Sequence, residues 1–175
     1  MQNISMSQHP AQETSTWKSR TPRRSRLVQI VHMRILTQHQ QNQVHRHLSS
    51  YFVGHGLPPQ TSLEQQHGGG SLFGVLVDSR IVGSIYIRVW PNAPTDGDIH
   101  IISSRWRMLD YATVNAFRNF LRSKEHLMNL TRWRVAIDPE QDTLQHALMI
   151  LGFTDTGLHP FPLMGTARIM SRKVV

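Results

Sequence analysis

The feature that most constrains the fold is the alternation of strand-like and helix-like segments from Leu27 onward. Short β-branched runs such as Leu27–His32 alternate with stretches such as 37–52, in which apolar residues recur every three or four positions. The predicted order is strand, helix, three strands, helix, strand, helix and two strands. This order predicts an α/β (α+β) fold, in which helices pack on the faces of one mixed sheet.

The boundaries of these predicted segments follow from local composition. A hairpin joins Leu72–Val77 to Ile81–Trp90 through a short polar turn, and the last predicted helix ends at Gly152, since glycine is favoured just past a helix end. The remaining predicted elements are a strand at Asp98–Ile102, a helix containing Val114, Phe117 and Leu121, a strand at Thr131–Ile137, a helix containing Leu144, Ala147, Leu148 and Leu151, and strands at Phe153–Gly157 and Ala167–Lys173.

Composition excludes several classes of protein. The 175-residue chain contains no cysteine, which rules out disulfide frameworks, thiolate metal sites and a cysteine nucleophile. No apolar run approaches the roughly 20 residues of a membrane span, and residues 1–26 lack the apolar segment of a signal peptide. The sequence therefore predicts a cytoplasmic protein without a membrane partner. The histidines lack ligand spacing, so no metal is expected.

The positive charge is unevenly distributed. The formal net charge is +8, and about half of this excess lies in residues 1–26, which end in a cluster of arginines. These residues lack periodicity and are expected to form a disordered basic arm. The arm is either a solvated tail or a segment that binds RNA or another partner.

Two local patterns carry a family resemblance. The first is Ile102–Ala112, where a strand runs into a helix through Arg107-Met108-Leu109-Asp110-Tyr111-Ala112. The second is the final helix, from Gln141 to Leu151-Gly152-Phe153. Together with the order of elements, they resemble the GNAT superfamily of N-acyltransferases over residues 27–175. The resemblance implies a central mixed, mostly antiparallel sheet flanked by helices.

The resemblance implies that acetyl-CoA is the co-substrate. In this family, pantetheine runs along the end of the strand before the turn, and the pyrophosphate is held by backbone N–H groups where the next helix begins. The neighbouring strand would be Trp133–Ile137. The implied cofactor-binding residues are Ile101, Ile102, Ser103, Arg107, Met108, Leu109, Asp110, Tyr111, Ala112 and, at the start of the last helix, Gln141.

The residues that would carry out the chemistry are also implied by the resemblance. The family commonly places an acidic base on or before this strand, where the chain has Asp96, Asp98 and His100. Asp98 and His100, the two residues predicted to be catalytic, share one face of the strand. The family's tyrosine acid would fall at Leu148, which cannot donate a proton, so Tyr111 or a water would have to replace it. Asp110 departs from the small residues of the family turn and is itself a preferred N-cap.

The sequence thus predicts an N-acetyltransferase that acts on a primary amine of an unidentified acceptor, such as a protein, an aminoacyl-tRNA or a small molecule. The alternative is a catalytically inactive GNAT-like domain that binds nucleic acid or protein. A nucleic acid could bind through the basic arm, and a homodimer is a further open alternative. Trp90 would have a stacking role if it lined the acceptor cleft.

Overall fold

A computed structural model describes residues 26–54, 70–103, 110–161 and 165–174. This part of the chain contains seven strands and three α-helices, preceded by a short 3-10 helix at Met33–Ile35. The strands are β1 (Val28–His32), β2 (Ser71–Val77), β3 (Arg80–Trp90), β4 (Ala93–Ser103), β5 (Arg132–Ile137), β6 (Thr154–Phe161) and β7 (Gly165–Lys173). The helices are α1 (Gln38–Gly54), α2 (Tyr111–Met128) and α3 (Asp142–Ile150).

The strands form one mixed sheet in the order β1-β2-β3-β4-β5-β7-β6. Only β4 and β5 pair in parallel among the described strands, and the other neighbours are antiparallel. The predicted fold class is therefore confirmed. The largest boundary differences are in two strands: β4 begins at Ala93 rather than at Asp98, and β6 ends at Phe161 rather than at Gly157.

The predicted hairpin is present, and its turn explains its register. Asp78 and Ser79 both adopt positive φ angles, of 48° and 67°, and lie between β2 and β3. Positive φ at both central residues matches the right-handed twist of the flanking strands. Gly152 likewise has a φ of 88°, which supports its predicted place just after α3.

Two apolar clusters cover the two faces of the sheet. The larger cluster lies under α2 and α3 and includes Phe117 and Leu148 together with inward residues of the central strands. The smaller cluster lies under α1, where Val44 meets Tyr86 and Ile102. Since α1 packs against β2, β3 and β4, the sheet is sandwiched between α1 on one face and α2 with α3 on the other.

A buried polar cluster fixes α2 to the sheet. The Glu125 carboxylate accepts a hydrogen bond from Trp133 Nε1 at 2.8 Å and pairs with Arg172 at 3.0 Å. Gly97, opposite Trp133 in the β4–β5 register, leaves room for the indole, because a Cβ there would collide with the ring. Trp133 is completely buried.

Candidate active site

The central feature of the site is the separation of β4 from β5. The two strands pair from Asp96 and Arg132 as far as Ile99 and Val135, and no pairing between them follows. Beyond this point β4 stays paired with β3 up to Ser103, and β5 stays paired with β7 up to Ile137. Each strand thus follows its antiparallel neighbour, and a gap opens between them.

A cavity of about 530 Å³ lies at this gap. The register places the Asp98, His100, Arg134 and Ser171 side chains of this lining on the sheet face that also carries α1, and β6 completes the wall. Ile99 and Val135 also border the cavity, but their side chains belong to the larger cluster on the other face. Its lining residues are Trp90, Asp98, Ile99, His100, Arg132, Arg134, Val135, Ala136, Thr156, His159, Pro160, Ile169 and Ser171. Trp90 thus lines the cavity, the position in which the sequence predicts a stacking role for it.

Two ion pairs cross the parallel strands just before they separate. Arg132 Nε donates to Asp96 at 3.1 Å, and Arg134 Nε donates to Asp98 at 2.9 Å. In each pair the two residues are directly opposite in the register. The hydrogen bond to Asp96 raises the pKa of Arg132 above its usual value. These pairs hold β4 against β5 up to the mouth of the cavity.

The two predicted catalytic residues both line the cavity, but in different surroundings. Both oxygens of Asp98 have partners: Oδ1 accepts from Arg134, and Oδ2 accepts from Trp90 Nε1. The half-buried His100 follows Ile99, the last β4 residue that pairs with β5. Its ring centroid lies 5.9 Å from that of Tyr86. Asp98 is therefore held in a fixed polar cluster, whereas His100 stands at the gap itself.

The Ile101 and Ile102 side chains of the predicted cofactor-binding strand face the two clusters, and the side chain of Ser103 lies outside the described part of the structure. Ile102 is buried in the smaller cluster, and Ile101 packs against the larger one. From His100 to Ser103, the β4 edge directed towards β5 is left without a β5 partner. An extended ligand could therefore bind there only through the β4 backbone, as the resemblance implies.

The helix start that should hold the pyrophosphate is partly described. Asp110 is the N-cap of α2, and its Oδ1 accepts a hydrogen bond from the Thr113 amide at 3.0 Å, so the predicted capping role is confirmed. Tyr111 is 82% exposed, and Ala112 is half-buried. The predicted contacts of Arg107, Met108 and Leu109 lie outside the described residues.

Two further predicted positions lie on α3. Gln141 is its exposed N-cap residue, and its side chain makes no capping hydrogen bond. Leu148, at the position of the family's tyrosine acid, is fully buried in the larger cluster. A proton donor for the leaving group would thus have to come from elsewhere.

The described residues show no group of three or more histidine or acidic side chains that could hold a metal ion. None of the described helices has the length and apolar composition of a bilayer span.

Solved structures that share this architecture include acetyltransferases. AAC(6')-Ib in complex with ribostamycin and coenzyme A superposes with a TM-score of 0.62 at 15% identity, over 84% of this chain and 93% of that one. The chain has the GNAT fold. The spermidine/spermine N-acetyltransferase SpeG of Vibrio cholerae gives a TM-score of 0.60 at 13% identity, over 84% of this chain and 92% of that one.

RimJ of Mycobacterium smegmatis, in complex with CoA-disulfide, gives a TM-score of 0.53 at 20% identity over 63% of this chain and 56% of its own. No protein-family model matches the GNAT-fold chain. No curated protein matches it either.

Proposed function

We propose that the protein is an N-acetyltransferase that moves an acetyl group from acetyl-CoA to a primary amine by direct attack. The observation that supports this proposal best is the separation of β4 and β5 after Ile99 and Val135, with a cavity at the gap. Structural neighbours that have this fold include acetyltransferases with coenzyme A or acetyl-CoA bound. The two substrates would meet at the gap.

The chain offers two kinds of contact to acetyl-CoA. The β4 edge from His100 to Ser103 presents backbone groups that an extended pantetheine could pair with, as an added strand does. The N-terminus of α2 carries the positive end of a helix dipole, which favours an anion such as a pyrophosphate. Asp110 occupies part of this terminus with its own carboxylate, and Arg107, Met108 and Leu109 would supply the rest of the contact.

Acetyl-CoA, when bound, would supply an acetyl carbon whose bond to sulfur breaks as its bond to the amine nitrogen forms. The electron pair would stay on sulfur, which would take up the proton that the nitrogen loses. The chain must first remove a proton from the ammonium form of the acceptor. We assign this role to His100, because an imidazole titrates near neutral pH and this one lines the cavity at the gap. Asp98, with both oxygens bonded, fixes Arg134 and Trp90 and acts as a positioning residue.

Binding and turnover test the proposal separately. Calorimetric titration with acetyl-CoA should give a saturable signal, and adding an amine acceptor should then release free thiol. Absence of any heat or thermal shift at millimolar acetyl-CoA would overturn the enzyme proposal and leave a GNAT-fold binding module.

A variant tests the role of the base. His100→Gln should lower kcat by about a hundredfold or more, the usual contribution of a general base, and flatten the acid limb of the pH profile of kcat. Its affinity for acetyl-CoA should stay unchanged. The same substitution at His126, on the exposed last turn of α2, is the matched control and should leave kcat unaltered. A wild-type kcat in His100→Gln would remove His100 from the mechanism.

A further inference from the structure

The charges around the cavity form two opposed columns. On β4, Asp96, Asp98 and His100 alternate along one face, and on β5 the facing residues are Arg132 and Arg134. Each aspartate is paired with the arginine directly opposite. The carboxylates near the cavity are therefore already neutralised by the protein's own cations.

Arginine is in excess at this end of the sheet. The Arg88 guanidinium stacks over the Trp90 indole, with its carbon 3.5 Å from the ring centroid, and Trp90 is itself part of the cavity wall. Arg88, Arg132 and Arg134 thus outnumber the two aspartates. A polycationic acceptor would find no unpaired carboxylate on the described part of the cavity wall, and it would meet like charge.

Arg134 retains capacity to bind an anion. Only its Nε donates to Asp98, and its two terminal nitrogens have no hydrogen-bond partner among the described residues. The side chain is 39% exposed and lines the cavity. A guanidinium presents donors in a fixed planar fork that matches a carboxylate.

We infer that the acceptor is an amine that carries a carboxylate close to its reacting nitrogen, and that Arg134 binds this carboxylate. This inference rests on the proposed acetyltransferase function and specifies its substrate class. A volume of about 530 Å³ suits a small molecule or the first residues of a peptide. The carboxylate could thus belong to a free amino acid or to an acidic residue at a peptide N-terminus.

Two matched pairs of acceptors separate these sources. Alanine is compared with alaninamide, which has an α-amine but no carboxylate. A glutamyl tripeptide amide is compared with its glutaminyl counterpart, and spermidine serves as the polycation. In at least one pair the acidic member should have a kcat/KM about tenfold higher or more, as expected for one charge-assisted hydrogen bond. The pair that shows the preference identifies the source.

The Arg134→Gln variant should bring that kcat/KM ratio close to one. Arg168→Gln breaks an arginine–aspartate pair of the same kind, with Asp155, away from the cavity lining, and should leave the ratio at its wild-type value. Because the ratio compares two acceptors on the same protein, a partly destabilised variant still reports it. Arg134→Lys should restore part of the preference, since the charge returns without the fork.

The inference is overturned if spermidine or the neutral members are acetylated as well as the acidic ones, or if the ratio survives in Arg134→Gln. If acetyl-CoA binds but no amine is acetylated, the proposed function fails. The charge preference is then measured by NMR titration with N-acetylalanine and N-acetylalaninamide. Equal binding of the two would overturn the inference independently.

Discussion

Substitution of Asp110 should change helix stability and acetyl-CoA binding in opposite directions. Its carboxylate caps α2 through a 3.0 Å hydrogen bond from the Thr113 amide, at the helix end where a pyrophosphate would bind. Asp110→Ala removes both the cap and the charge. Asp110→Asn keeps an oxygen that can cap the helix and removes only the charge, so the two variants separate the two effects.

The magnitudes follow from these contacts. Loss of an N-cap costs about 1 kcal/mol, and loss of a negative charge at the positive end of the dipole adds about 0.3–1 kcal/mol. The ion pair to Arg26 spans 3.9 Å and that arginine side chain is 61% exposed, so it contributes close to nothing. Asp110→Ala should therefore lose about 1–2 kcal/mol of unfolding free energy, and Asp110→Asn less than about 1 kcal/mol.

Binding of acetyl-CoA should change in the opposite direction. Two like charges about 4 Å apart in water-like surroundings repel by about 1 kcal/mol, so removing the carboxylate should tighten binding by about fivefold. Urea unfolding measures the first effect, and calorimetry with acetyl-CoA measures the second. If Asp110→Asn binds acetyl-CoA no more tightly than the wild type, the pyrophosphate does not lie beside this carboxylate, and the assignment of the helix start is wrong.

Three further predictions concern other parts of the molecule. Glu125→Ala should cost about 3–5 kcal/mol in urea unfolding, because Trp133 and Arg172 lose a buried acceptor, and Glu125→Gln should cost less since it keeps an acceptor. Burial lowers the pKa of His32 below 6.5, so the unfolded chain takes up the proton first and stability should fall as the pH drops below about 6.5, a slope that His32→Gln should flatten. Ala136→Leu should raise the KM of the amine by about tenfold, because the larger side chain narrows the cavity at the gap; an unchanged KM would place the acceptor elsewhere.

The elements that the sequence predicts well are those whose signals are local. The turn at Asp78 and Ser79, the N-cap at Asp110 and the helix end at Gly152 each depend on a few adjacent residues. The predicted β4 starts too late, because Pro94 and Gly97 are typical loop residues. In the structure, Ala93 pairs with Trp90 and Gly97 pairs with Trp133, so this segment is part of the strand. Such pairing is a property of the tertiary fold.

The cavity lining depends on strand pairing in the same way, so only part of it could be predicted from the sequence. Asp96 and Asp98 alternate along β4, and Arg132 and Arg134 alternate along β5, so the period of a strand is visible in both segments. The sequence does not show that these two segments, 36 residues apart, are parallel neighbours in register. Arg134 was therefore missed as a site residue, although Asp98 and His100 were identified on the strand beside it.

The same four charged side chains connect the architecture of the sheet to the chemistry of the cavity. Past Ile99 and Val135, β4 is drawn towards β3 and β5 towards β7, so the parallel junction is held only at its other end, where the Asp96–Arg132 and Asp98–Arg134 pairs lie. Those pairs stabilise the junction of β4 and β5. They also neutralise the two carboxylates that a cationic acceptor would need. Removing Arg134 would therefore free Asp98 for a cation while weakening the junction, which is why acceptor preference and stability must be measured on the same variant.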